Sequence, residues 1–140
     1  MDESISLDIP ARAEYVILGR LALSGLLRGE GFSDDAVADL KLALTEACSN
    51  SVRHAYDHSD GQVHLEFSMT TDRVTVIIRD FGNGLHEDDE DCPECRGMPE
   101  IVLAEGGMGM GIIRSVVDDF DLQKPDQGGT VLRFSKFRDA

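Results

Sequence analysis

Leu44-Thr45-Glu46-Ala47-Cys48-Ser49-Asn50-Ser51-Val52-Arg53-His54-Ala55-Tyr56 is the stretch on which the reading of this 140-residue chain turns. It belongs to a segment from about Asp34 to Tyr56 in which Val37, Leu40, Leu44, Ala47, Cys48 and Ser51 fall on one face at helical spacing. Glu46, Asn50 and His54 follow at i, i+4 and i+8, forming a polar stripe beside that face. A helix of this kind packs on a sheet while its flank lines a cleft. Ser33 is suited to cap its start, and Asp34 and Asp35 favour its first turn.

Two further pieces lie downstream. Asp80-Phe81-Gly82-Asn83-Gly84 follows the apolar strand Val74–Ile78, and Gly106-Gly107-Met108-Gly109-Met110-Gly111 opens a short helix that runs from Gly109 or Gly111 through Ile112–Val117. A carboxylate, a carboxamide and two glycine turns on separate elements suggest a bound Mg-nucleotide rather than a packing need. Seven of the 14 glycines fall between residues 81 and 111, a concentration that ordinary turns do not require.

The rest of the chain supplies the frame. Ser4–Ile9 alternates as a half-buried strand ended by Pro10, and Tyr15, Leu18, Leu21, Ala22 and Leu26 recur at helical spacing between about Arg12 and Arg28. Gly29 and Gly31 stop that helix. Val63–Phe67 and Val74–Ile78 form a hairpin through Thr70-Thr71-Asp72, the second strand being apolar on both faces near its end and so central. Phe120–Leu122 and Thr130–Phe134 close the chain as strands. Strand, two helices, two strands, a long acidic connection, helix and two strands predict an α+β fold. It is a two-layer sandwich of helices on a mainly antiparallel, mixed sheet. No glycine loop opens a helix after the first strand, so a Rossmann unit is excluded, and no Gly-Lys-Ser/Thr exists for a Walker loop.

Composition narrows the function. Length predicts one domain over residues 1–140, able to bury roughly 68% of its unfolded surface. Twenty-seven acidic residues face 13 basic ones, a net charge of -14, and the arginines and lysines form no cluster, which argues against nucleic-acid binding. Such a chain repels polyphosphate at long range, so a nucleotide would need Mg²⁺ and local dipoles. No run of about 18 apolar residues spans a membrane, and the acidic N-terminus does not read as a signal peptide, so a cytoplasmic protein is expected. Cys48 reads as a small core residue; Cys92-Pro93-Glu94-Cys95 is either incidental or half of a redox or metal site.

Each candidate has a functional and an ordinary reading. Asn50 can give one oxygen to Mg²⁺, or simply bond water on a helix surface. Glu46, one turn earlier, can accept the proton of an attacking hydroxyl or orient it, or be an exposed carboxylate. Asp80 can accept a bond from the exocyclic amino group of adenine, or cap the turn into Gly82. Gly82 and Gly84 allow the backbone to approach a base. Gly107, Gly109 and Gly111 lie where backbone N–H groups and a helix start can hold phosphate oxygens, with Met108 and Met110 as apolar walls.

Together, Glu46-x3-Asn50-x3-His54-x-Tyr56 and Asp80-x-Gly82-x-Gly84 resemble the GHKL ATPase superfamily, and within it the small serine-kinase anti-sigma factors of bacterial sporulation and stress switches. The resemblance covers nearly the whole chain. It implies a Bergerat-type ATP-binding fold with a lid over about residues 85–108, binding ATP and Mg²⁺. It makes Asn50 the metal ligand, Glu46 the general base and Thr130 a second adenine-side contact. Arg53 would reach phosphate and Arg20 would face a partner, although a solvated arginine explains Arg53 almost as well and a surface salt bridge explains Arg20 equally well. The implied activity is transfer of phosphate to a serine or threonine of an anti-sigma antagonist (STAS-type) protein, combined with sequestration of a sigma factor; relatives form dimers. The alternatives are a nucleotide-gated binding module without kinase activity and the isolated ATP-binding domain of a histidine kinase.

Overall fold

Alternation of apolar and polar residues becomes a five-stranded sheet. The computed structural model describes residues 3–54, 61–81, 108–125 and 128–138, and of residues 53, 54 and 108–110 the backbone alone. Its strands are β1 (Glu3–Pro10), β2 (Gln62–Met69), β3 (Arg73–Asp80), β4 (Asp119–Gln123) and β5 (Thr130–Phe137). They lie in the order β1-β2-β3-β5-β4, and every described pairing is antiparallel. β3 is central, as its two apolar faces predict.

Val63, Leu65, Phe67, Val74, Val76, Ile78 and Phe134 point to one side, each at most 1% exposed. The other side carries His64, Glu66, Thr75, Arg79 and Arg133, none of them buried. A sheet polar on one face needs cover on the other only. That cover is α1 (Val16–Leu27), α2 (Asp34–His54) and α3 (Met108–Val116). The result is the expected two-layer α+β sandwich.

Local chemistry sets the helix ends. The Ser33 hydroxyl accepts the Ala36 N–H at 3.0 Å and the Ser33 carbonyl accepts the Val37 N–H at 3.0 Å, capping α2 as predicted. Gly29 and Gly31 take φ of 76° and 85° after α1, conformations that favour glycine. α3 begins at Met108, earlier than the sequence reading at Gly109 or Gly111, so both glycines lie within the helix. Residue 55 onward in the predicted second helix lies outside the described residues.

α1 differs from its sequence reading. A 3-10 turn, Ala13–Tyr15, precedes it, and its buried positions are Val16, Gly19, Leu23 and Leu27. Leu18 and Leu21, read as part of the inward stripe, are 42% and 61% exposed, and Ile17 is 55% exposed. Gly19 is the physical reason. A Cβ built there would stand 2.7 Å from Leu65 Cδ1 and 3.4 Å from Leu44 Cδ2. The absent side chain lets the helix sit down on β2 and α2 along its glycine side, turning Leu18 and Leu21 outward. Gly19→Val should therefore cost about 1–3 kcal/mol by overpacking. Gly25→Ala, where a Cβ meets nothing within 4 Å, should gain about 0.5–1 kcal/mol. Urea unfolding of both variants checks the contrast.

Cys48, fully buried on α2, is the small core residue expected, and burial pushes its thiol up to about 12 from a model-compound value of 9.0. Between those values the folded chain keeps a proton that the unfolded chain releases, so this group lowers stability as pH rises above 9.0. Unfolding free energies measured from pH 8 to 10.5 should fall more steeply for wild type than for Cys48→Ala, by up to about 1.4 kcal/mol per pH unit.

Candidate functional site

β3 delivers Asp80 as its final residue. The register pairs Asp80 with Val63 on one side and Thr130 on the other, so its side chain points to the helix-covered face. The sequence reading put Asp80 beyond the last buried position; instead it is itself buried, at 3% exposure. A buried carboxylate needs compensation, and three donors provide it. The Ser51 hydroxyl donates to Asp80 Oδ2 at 3.1 Å, the Thr130 hydroxyl donates to the same oxygen, and the Thr130 N–H donates to Asp80 Oδ1 at 3.1 Å. A carboxylate offers about four acceptor positions. Described residues take three of them, and the one without a donor among those residues is on Oδ1.

Gly129 makes this arrangement sterically possible. With φ at 82°, it passes so close to β3 that a Cβ would lie 2.3 Å from the Asp80 carbonyl oxygen. Every non-glycine residue would push the start of β5 away from Asp80, and Thr130 with it.

α2 contributes the other groups. Ser51 bonds Asp80, and its neighbour Asn50 is buried at 6% exposure, deeper than a flanking stripe implies. Glu46, one turn back, is half-buried. Arg53 lies in the last turn of α2. On α3, Met108 and Gly109 occupy the first turn, and Gly111 is exposed, with open space where a Cβ would stand. Thus Ser51, Asp80 and Thr130 form one bonded network, and Asn50 and Glu46 stand on the helix that supplies Ser51. Gly82, Gly84, Gly107, Cys92, Cys95 and the expected lid up to residue 107 lie outside the described residues. Arg20 is exposed on α1 beside Ile17 and Leu21.

Ser51 is the member that sequence reasoning missed. Its spacing placed it on the buried face of α2, where a serine reads as a small filler. The signal was available: a hydroxyl on a face that meets the end of a central strand bearing Asp80 needs a partner there.

Among the described residues no group of three His, Cys, Asp or Glu side chains could cage a metal ion. Magnesium does not require one, since it keeps waters and substrate oxygens and takes one or two protein ligands. A buried carboxamide and a half-buried carboxylate on one helix suit that donor set, and the open Asp80 oxygen suits an N–H donor. The residues present fit a magnesium nucleotide.

Residues 9–136 match the histidine kinase-like ATPase domain. The chain belongs to that family. Among curated relatives, the serine-protein kinase RsbW of Bacillus cereus (strain AH187) is 36% identical over 135 residues, covering 93% of this chain and 82% of that protein. The serine-protein kinase RsbW of Listeria innocua serovar 6a is 38% identical over 138 residues, with coverage of 94% and 86%. Among solved structures, the RsbU and RsbW domains of a Mycobacterium tuberculosis protein superpose with a TM-score of 0.70 at 16% identity. This superposition covers 99% of this chain and 33% of that one. The mycobacterial sensor histidine kinase MprB gives 0.54 at 16% identity, covering 95% and 97%. These two structural likenesses show the fold of a histidine kinase-like ATPase domain. Among the described residues no helix is long and apolar enough to cross a membrane.

In this histidine kinase-like ATPase, Ser51→Ala should cost about 1.5–3 kcal/mol, the range for a hydrogen bond to a charged group. Gly129→Ala should cost about 1–3 kcal/mol from its strained φ, and more from the clash with β3. Chemical denaturation of each variant measures both.

Proposed function

We propose that this protein is a cytoplasmic anti-sigma factor with serine/threonine protein kinase activity. It binds Mg-ATP, phosphorylates an antagonist protein of the STAS type, and sequesters a sigma factor when the antagonist is phosphorylated. The observation that carries the reading is the buried Asp80 carboxylate with one acceptor position open, on the strand facing the helix that bears Glu46 and Asn50. The likeness to proteins named serine-protein kinase RsbW at 36–38% identity supports the choice of acceptor chemistry.

Each residue has a distinct task. The open lone pair on Asp80 Oδ1 accepts the exocyclic N–H of adenine. Guanine turns a carbonyl oxygen to the same place and is rejected by acceptor facing acceptor. Thr130 orients that carboxylate and forms the second adenine-side contact, with Gly82 and Gly84 bringing the backbone close to the base. Asn50 would give its carboxamide oxygen to Mg²⁺, Arg53 would reach toward phosphate, and Met108, Gly109 and Gly111 at the start of α3, with Gly107 before them in sequence, would offer backbone N–H groups to phosphate oxygens. Mg-ATP, when bound, supplies the transferable γ-phosphoryl group and the cation that neutralises its charge. Glu46 holds the acceptor hydroxyl and takes its proton as the oxygen bonds to the γ-phosphorus and the bond to the β–γ bridging oxygen breaks, releasing ADP.

The same reading treats residues 1–140 as one domain, residues 85–108 as the lid over the nucleotide, and a homodimer as the working unit. Arg20, exposed among apolar neighbours on α1, serves the protein partners. A half-buried Glu46 in the acceptor-side position favours a kinase over a nucleotide-gated module without activity. The test is transfer of γ-labelled phosphate to a serine or threonine of the antagonist, recovered from a lysate by capture with and without ATP. Glu46→Ala should lower that transfer about 10²–10⁴-fold while leaving ATP affinity within about twofold. Wild-type transfer rates in this variant would remove the base assignment, and the absence of any hydroxyl phosphorylation would leave the binding module in its place.

A further inference from the structure

Lys136 is one of only three lysines in the chain, and it is held inside. Its register partner on β3 is Val74, so it rises from the helix-covered face of the sheet. Its side chain is 18% exposed. The ammonium donates to the carbonyl of Val116, the last residue of α3, at 2.8 Å, and to Asp39 Oδ2 on α2 at 3.2 Å. Two adjacent bonds reinforce the joint: the Asp118 N–H donates to the Ser135 carbonyl at 2.9 Å, and the Phe137 N–H donates to Asp118 Oδ2 at 2.7 Å. The end of β5 thereby holds the C-terminal end of α3 against the early part of α2. A cation at a helix C-terminus also complements the helix dipole.

The direction of α3 follows. It packs along α2. Asp39 lies five residues from the start of α2 at Asp34, a rise of about 8 Å. That run is too short to receive a nine-residue helix about 13 Å long. α3 therefore extends from Val116 back toward the other end of α2, where Glu46 and Asn50 stand. The anchor and the phosphate end occupy opposite ends of one short helix.

We propose that Lys136 is a positioning residue for the phosphate end of the nucleotide site, acting by pinning α3 so that its first-turn N–H groups are held toward the triphosphate. It rests on the reading of α3 as the phosphate-side helix given under Proposed function. Lys136 touches no substrate. A short helix fixed at its far end by an ion pair and a carbonyl bond cannot slide along α2, and sliding is the motion that would withdraw its N-terminus from the phosphates.

The test compares Mg-ATP with adenosine, which uses the Asp80 end alone. Calorimetry on the full chain should show that Lys136→Met weakens Mg-ATP binding roughly three- to tenfold and leaves adenosine binding within about twofold. Lys136→Arg, which keeps the charge and the donors, should restore the ATP affinity. Asp39→Asn leaves the lysine in place and carries the same comparison should Lys136→Met fail to fold. A packing role alone would shift the melting temperature and move both ligands together or neither. Equal losses for ATP and adenosine, no loss for either, or failure of the arginine variant to restore binding would each overturn the proposal. If wild type binds Mg-ATP no more tightly than adenosine, the phosphate-side reading of α3 falls, and the proposal with it; a wild-type preference for ATP that Lys136→Met leaves intact overturns the lysine's role alone.

Discussion

The carboxylate of Asp80 is the constraint on which the arrangement depends. Burying a lone charge costs several kcal/mol unless well-placed donors compensate it. Here the donors come from two elements far apart in sequence, Ser51 on α2 and Thr130 on β5. Satisfying the charge therefore fixes how α2 lies over β3 and how β5 starts beside it. Packing of Leu40, Leu44 and Ala47 fills the layer between helix and sheet but carries no direction of its own. The polar network selects one position. Among the described residues the same network leaves one acceptor position of the carboxylate without a donor.

Electrostatics act at two scales. At a distance the net charge of -14 opposes any anionic ligand, and screening beyond about 10 Å weakens that opposition at 0.1 M salt. Close in, backbone N–H groups at a helix start and a shared cation decide the outcome. Much of the positive charge is already committed to neighbours within the fold: Arg73 bonds Asp119 at 3.1 Å, Lys136 bonds Asp39, and Arg138 pairs with Glu30 at 3.7 Å. In such a chain any anionic group is favoured by local geometry, such as the N–H groups at a helix start, more than by the overall field.

The fold was largely legible because its signals are periodic. Period two marked β1, β2 and β5, the double apolar face marked β3 as central, and Ser33 with Asp34 and Asp35 marked the start of α2. Glycine content also marked where helices end. The reading failed where a missing side chain decided the outcome. In α1 the larger residues Leu18 and Leu21 drew attention, whereas Gly19 set the packed face, and pattern methods weigh what a residue adds rather than what it leaves room for. Asn50 and Asp80 stood out by type and spacing and Thr130 by resemblance, and of these the structure bonds Asp80 to Thr130. Ser51 and Lys136 did not stand out. Their partners, Asp80 and the end of α3, are distant in sequence, and only the packing of the helices on the sheet brings them within bonding distance.

β4 has a consequence of its own. It is the five-residue border of the sheet on one side, and Asp119 and Asp121 stand on it, with Asp118 just before. An unpaired strand border is a template on which a second chain can extend the ladder. Here Asp119 is paired with Arg73 and Asp121 lies opposite Arg133, so the border presents little free charge. Its guard is brevity: five residues offer an approaching copy few backbone bonds, too few to seed stacked, fibre-like growth from that side.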